Sequence, residues 1–260
     1  MTPEAEPPQV EAVLFALEEV LLPFQSVRSW QWAWRPQGPL LGERHALTVL
    51  RRSRRAWDRR RWLGLTGKEP PADAGALAEH LAETLRALAG HGLPAAESEA
   101  VVRRIQHPTG EVERFPDVAP ALARLAAAGV RLGAVSSLAA EHGRWLLRRT
   151  GLAEALLLGG SDPPGPAPPD PHAILAAVER LGAPADRTVL VGGLYWSDVR
   201  GAHRAGLRSV LVDRAGAWPH VQVGRRPSLD GLEETLRAAA AAAPGSGEGP
   251  DDDAGPVGGA

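Results

Sequence analysis

The sequence predicts an α/β protein in which a parallel sheet is covered by helices on both faces. Short runs of strand length are almost continuously apolar, and stretches of helical periodicity lie between them. Strands buried on both faces lack the apolar/polar alternation of half-exposed ones. Their regular succession with helices implies βαβ units.

Taken in order, "VLFALEEVLLPF" (13 to 24) opens as a strand and runs into two glutamates. Locally "ALEEVL" is also a run of good helix formers. A long stretch of different character follows. "DVAPALARLAAAG" (117 to 129) has the apolar spacing and the glycine stop of a helix. "VRLGAVSS" (130 to 137) is a strand followed by the helical "AAEHGRWLLRRTGL". "DPHAILAAVERLG" (170 to 182) is a helix with Asp170 at its start and Gly182 at its end. "TVLVGG" (188 to 193) is a strand leading into "SDVRGAHRAG", and "RSVLVDR" (208 to 214) is the next strand. "SLDGLEETLRAAAAAA" (228 to 243) closes the fold as a helix.

Composition narrows the classes. The chain has 260 residues, 44% of them hydrophobic, enough for one α/β core and a smaller insertion. A net charge of -2 and the lack of an established nucleic-acid motif argue against a nucleic-acid partner. No cysteine is present, which removes disulfides, thiolate metal sites and a cysteine nucleophile. The acidic start "MTPEAEPPQVEA" is unlike a signal peptide and no apolar run has membrane-spanning length, so a cytoplasmic location without membrane attachment is expected. Residues 1 to 9 and 244 to 260 lack the apolar side chains to order themselves.

Ligands of open parallel sheets bind beyond the carboxyl ends of the strands. The stretches to read are therefore Ala16 to Val20, Ser136 with Ser137, and Gly193 to Asp198. The order of a strand, a long insertion, "FPDVAPALARLAAAGVRLGAVSS" and then "PPDPHAILAAVERLGAPADRTVLVGGLYWSDVRGAHRAGLRSVLVDR" resembles the haloacid dehalogenase-like (HAD) hydrolase superfamily, in its phosphoglycolate-phosphatase-like branch. The resemblance covers roughly residues 10 to 240 and rests most firmly on "VGxxxxxDVxGAxxAG". It implies a Rossmann-like core from residues 10 to 23 and 116 to 243, with a helical cap inserted at 24 to 115.

The resemblance also implies a chemistry that this chain has altered. In the family an Asp-x-Asp-Gly strand end supplies a nucleophile and, two residues later, an acid/base; here those positions are Ala16 and Glu18, with Glu19 at the glycine. A methyl group cannot attack phosphorus. The hydroxyl that holds a phosphoryl oxygen is retained as Ser136, beside Ser137. The lysine position falls at Pro168, which has neither charge nor donor, and the metal-binding acid pair at Gly193 and Asp198, where only Asp198 is acidic. Magnesium needs oxygen anchors that are missing at 16 and 193. No cofactor is expected, Mg²⁺ entering only if the chain is an active hydrolase. Each retained group also has a plain structural reading: Ser136 and Ser137 as a strand-end turn, and Asp198 as an N-terminal helix carboxylate.

The insertion carries Trp30, Trp32 and Trp34 at alternate positions and seven arginines around Trp57 in "RRSRRAWDRRRW" (51 to 62). Arginine and tryptophan bind phosphates and planar groups, which makes Arg51 and Arg55 candidate ligand contacts. The alternative is a solvated arginine face with Trp57 packed inward behind Leu47 and Leu50. Trp196, after the third strand, is bulky enough to occlude a pocket. Two functions follow. The first is a HAD-like protein that has lost phosphohydrolase chemistry and serves as a non-catalytic binding or regulatory protein, for a small anionic or phosphorylated ligand or a protein partner. The second is an active small-molecule phosphatase with displaced catalytic groups, which a further Asp or Glu directed into the cleft would favour.

Overall fold

A computed structural model of the chain describes residues 10–23, 27–34, 42–70, 72–106, 113–138, 140–159, 171–221 and 224–242. Among these residues the strands form a single five-stranded parallel sheet in the order β3-β2-β1-β4-β5. They are β1 (Ala12–Ala16), β2 (Arg131–Val135), β3 (Leu157–Gly159), β4 (Thr188–Gly192) and β5 (Arg208–Leu211). β1 lies at the centre, with Ala16 beside Val135 of β2 and Phe15 beside Val191 of β4. The head of "VLFALEEVLLPF" is thus the end of a strand, and residues 17–23 turn without forming a helix. The short β3 has too few residues to show a pattern and was not expected.

Alternation along β1 divides the core into two layers. Val13 and Phe15 pack with Leu122 and Leu125 of α5 (Val118–Ala127), Leu146 and Leu147 of α6 (Ala140–Arg149), and Leu232 and Leu236 of α9 (Leu232–Ala241). Leu14 points to the other side, onto Ile174 and Val178 of α7 (Pro171–Leu181) and Ala202 of α8 (Arg200–Arg204). Helices therefore cover both faces, as expected.

Between β1 and α5 lie α1 (Val27–Trp34), α2 (Glu43–Leu65), α3 (Ala74–Ala89) and α4 (Ala95–Gln106). They share a second core of Trp30, Trp34, Leu50, Leu81, Leu85, Leu88, Val101 and Ile105. Leu81, Leu85 and Leu88 repeat at helical spacing, and burying each is worth about 1.5–3 kcal/mol. α3 starts where the Asp73 carboxylate accepts the Ala76 N–H at 2.8 Å and stops at Gly90 with φ 73°. Trp30 and Trp34 are buried one helical turn apart, so these two are core side chains and not a stacking platform for a ligand. Trp57 is half-buried and stacks on His80 with ring centroids 5.2 Å apart, close to the inward packing expected.

A third apolar cluster joins the two cores. Trp62 of α2 packs with Tyr195, Trp196, Val199, Leu211 and Trp218. α2 alone among these helices reaches from the inserted core at Leu50 to the sheet at Trp62. No described helix is long and apolar enough to cross a membrane. Asp170, Pro168 and both chain ends lie outside the described residues.

Candidate functional site

The carboxyl ends of β1, β2 and β4 come together as the parallel register requires. Ala16 is the last residue of β1 and is 5% exposed. The chain then turns sharply: the Leu22 N–H donates to Leu17 O at 3.0 Å and the Glu19 N–H to Leu22 O at 2.8 Å. Within that turn Glu19 has φ 68°, a left-handed conformation costing a non-glycine residue about 1–2 kcal/mol. The backbone thus keeps the shape a glycine would serve, with a glutamate in its place.

Glu18, half-buried, reaches across to the loop after β2. Its Oε1 accepts the Ser136 Oγ–H at 2.8 Å, the Ser137 N–H at 3.0 Å and the Ser137 Oγ–H at 3.1 Å. Ser136 Oγ in turn accepts the Leu138 N–H at 3.1 Å. The two serines are therefore more than a local turn, because three donors converge on one carboxylate oxygen.

The loop after β4 is built differently. Asp198 folds back so that its Oδ2 accepts the Gly193 N–H at 2.8 Å and the Leu194 N–H at 2.9 Å. Tyr195–Val199 then forms a π-helical turn, a form often found at functional sites. Burial first and then the charge of Asp58 raise the Asp198 pKa to about 7, against the two N–H bonds and Arg61. The Asp198 carboxylate thus holds the loop ahead of the π-helical turn rather than the N-terminus of a helix. Trp196 is buried between Trp62 and Arg200, whose guanidinium lies 5.1 Å from both ring centroids.

α2 supplies the groups that sequence reasoning missed. Arg54, Asp58 and Trp62 are spaced four apart and so share one helix face, directed at the core. Arg54 Nη2 donates to Glu19 Oε2 in an ion pair whose side chains are 9% and 8% exposed. Asp58, fully buried, accepts the Trp196 N–H and the Ser197 N–H, each at 2.8 Å, and the Ser197 hydroxyl. Burial raises the Asp58 pKa too, opposed by its bonds from Ser197 and Trp196 and by Arg61. The signal was present in the sequence: Asp58 is the one acid within "RRSRRAWDRRRW", on the face shared with Arg54 and Trp62. Of the proposed ligand contacts, Arg51 is exposed and donates through Nε to Ala215 O, while Arg55 is exposed on α2.

These residues do not fit a magnesium site. Ala16 and Gly193 carry no oxygen on their side chains, and the Asp198 carboxylate is turned into the backbone of its own loop. A Cβ at Gly193 would lie 2.9 Å from Glu19 Cβ, so Glu19 occupies the room an acid at 193 would need. Among the described residues no three His, Cys, Asp or Glu side chains gather as a metal would require. Further carboxylates do approach the cleft, Glu19 and Asp58, but each is engaged by donors of this chain.

The fold and this arrangement of strand ends define a class. A family model described as haloacid dehalogenase-like hydrolase matches residues 6–206. The chain belongs to that family. It is 32% identical over 139 residues to the glyceraldehyde 3-phosphate phosphatase of Methanopyrus kandleri, an alignment covering 52% of this chain and 58% of that protein. It is 30% identical over 139 residues to the phosphoglycolate phosphatase of Rhodospirillum rubrum, covering 49% and 57% respectively. This agrees with the branch expected from the sequence, although the chain spans less than two thirds of either relative. Among solved structures, the HAD-hydrolase YfnB of Bacillus subtilis, determined with bound magnesium, superposes with a TM-score of 0.62 at 18% identity, covering 88% of this chain and 99% of that one. The L-2-haloacid dehalogenase of Xanthobacter autotrophicus gives 0.61 at 21% identity, covering 88% and 99%. At these identities the likeness is one of fold.

Proposed function

We propose that this chain is a member of its family that binds a small anionic or phosphorylated ligand, or a protein partner, without hydrolysing phosphate esters. The observation that carries the reading is the buried methyl group of Ala16 at the end of the central strand, where covalent phosphoryl transfer needs a nucleophile. The acid retained after β4 does not compensate, because its carboxylate is committed to two backbone N–H groups. The second reading is an active phosphatase with displaced groups. On the comparisons alone it is the better supported, since both curated relatives are named as phosphatases. Glu18 would be its acting carboxylate, since its bonds to the β2 loop all fall on Oε1 and Oε2 is the oxygen left to react.

The test is turnover of p-nitrophenyl phosphate by the purified full chain, with and without added Mg²⁺, together with intact-mass measurement for a phosphorylated species. We expect no turnover above background and no mass increase. Turnover that is lost on Glu18→Gln or Asp198→Asn overturns the proposal and establishes the displaced mechanism.

A further inference from the structure

We infer that the outward face of α2 is a docking surface for an acidic helical segment of a protein partner, held by Arg44, Arg52, Arg55 and Arg59. The surface lies outside the strand-end cleft, so the inference goes beyond the reading above and stands whether or not the chain hydrolyses phosphate esters. α2 carries eight arginines against two acids, Glu43 and Asp58, in a chain whose net charge is -2. Part of that charge is engaged within the chain. Arg54 pairs with Glu19, Arg60 with Glu79 at 3.7 Å, and Arg51 donates to Ala215 O. Arg61 lies in the field of Asp58 and Asp198. The guanidinium groups of the other four have no partner among the described residues. Arg44, Arg52 and Arg55 are exposed and Arg59 is half-buried.

Arg52, Arg55 and Arg59 are spaced three and four apart and share one face, with Arg44 two turns earlier, so the row is about 22 Å long. Like charges at this spacing repel one another and weaken the helix that carries them. A partner's carboxylates would relieve that repulsion. Beyond Arg59 the row continues onto the sheet domain, where the exposed Arg204 of α8 lies with its guanidinium 5.3 Å from the centre of the Trp62 ring. The platform is firm, because the opposite faces of α2 are packed on the inserted core through Ala46 and Leu50 and on the sheet through Asp58 and Trp62. Guanidinium forks take carboxylates and phosphates alike, so the surroundings decide the partner. Trp57 is stacked on His80 and Trp62 is buried, which leaves no ring beside the arginines for a nucleic-acid base. A helix packed on two sides cannot enter a duplex groove. Thr48 and Ala56, exposed among the arginines, offer a lipid surface little apolar side chain to bury. A second helix laid alongside α2 presents carboxylates at the same three- and four-residue steps as the arginines.

The probe is a fluorescein-labelled helical peptide with glutamates spaced three and four apart and a length matching the row, titrated into the full chain and followed by anisotropy. We expect binding that weakens as salt is raised. Arg52→Glu/Arg55→Glu/Arg59→Glu should weaken it at least about tenfold, and the neutral Arg52→Gln/Arg55→Gln/Arg59→Gln by less. The control reverses three exposed arginines on separate helices, Arg86→Glu/Arg103→Glu/Arg148→Glu, and should change affinity by less than about twofold. The Gln variant keeps the comparison valid should the Glu variant fold poorly. No binding by the unaltered chain overturns the inference, as does a control that loses as much as the α2 variants. Tighter binding to duplex DNA or to phosphatidylserine vesicles than to the peptide overturns it too, and identifies the face as a phosphate contact. Phosphatase turnover by the unaltered chain would sink the earlier reading and leave this one untouched.

Discussion

The loops after β2 and β4 are both filled by carboxylates from the chain itself, yet they differ in what holds them. After β2, half-buried Glu18 sits on an exposed Ser137 and a half-buried Ser136. After β4, Asp198 is 6% exposed while Ser197 and Asp58 have no exposure, under the lid of α2. The bonds are of one kind, N–H or O–H to carboxylate, and of similar length. What differs is the alternative. Donors released by Glu18 meet water, whereas donors released by Asp58 stay dry, and a dry donor costs about 1–3 kcal/mol. One strand end therefore keeps its donors within reach of water, and the other holds its loop and the inserted helices together.

The widest gap between the two should appear in stability. Asp58→Ala strands the Trp196 N–H, the Ser197 N–H and the Ser197 hydroxyl, and should lower unfolding free energy by about 4 kcal/mol. Ser137→Ala at the open end should cost less than about 0.5 kcal/mol. Urea unfolding of the two variants measures the difference. Similar small losses would mean that water enters beneath α2 and that the contrast is unfounded.

Next in size is the ion pair of Arg54 with Glu19, which ties α2 to the β1 turn. Arg54→Ala takes the guanidinium from a buried glutamate and should cost about 3 kcal/mol. The double variant Arg54→Leu/Glu19→Gly removes both charges and returns a glycine to a φ of 68°. It should recover most of the loss, since a buried pair replaced together is often neutral. Thermal melts of the three variants and the unaltered chain decide it. A double variant as weak as the single one would show that the pair contributes more than the absence of an isolated charge.

Two buried groups give pH dependences of opposite sign. The Asp198 pKa is raised from 3.8 to about 7, so the folded chain binds the extra proton between those values. Its contribution to stability is present in acid and is lost as pH rises through 7. His80, in the inserted core beside Ser53 and Thr84, is lowered from 6.5 to about 4, chiefly by burial and then by the charge of Arg60. Its contribution is present above pH 6.5 and is lost as pH falls through 4. Unfolding free energy measured from pH 4 to 7 should therefore lose part of its downward component in Asp198→Asn, buried Asp58 supplying the rest, and its upward component in His80→Gln. Unchanged profiles in both variants would refute these assignments.

The sheet was legible because buried strands leave continuous apolar runs, and β1, β2, β4 and β5 all have them. β3 was not, since "LLG" gives no periodicity to read. At the cleft, the residue types at 16, 18, 136, 193 and 198 were visible, but their pairings were not. Sequence offers no means of seeing that Glu18 bends to Ser136, or that Asp198 turns onto Gly193, because both depend on side-chain rotation after the strands have paired. Arg54 and Asp58 were hidden by their neighbours: in a run of seven arginines a solvated face is the ordinary expectation, and only the dock with the sheet sets Arg54 apart.

The smallest effects concern chemistry, where a single change should yield nothing. Ala16→Asp restores a carboxylate at the end of β1 but supplies neither a metal anchor at Gly193 nor a cation, so aryl-phosphate turnover should stay at background. Gly193→Asp is blocked sterically. Its Cβ would lie 2.9 Å from Glu19 Cβ, closer than side chains pack, and should cost about 1–3 kcal/mol. Glu19→Gly removes the obstructing Cβ. An aspartate at 193 would then project from nearly the place Glu19 vacates and would restore a negative charge near Arg54. The double variant Glu19→Gly/Gly193→Asp should therefore melt higher than either single variant, a non-additivity read directly from a double-mutant cycle. Strict additivity would mean that positions 19 and 193 do not share one space, and that the acid pair after β4 could have been kept alongside Glu19.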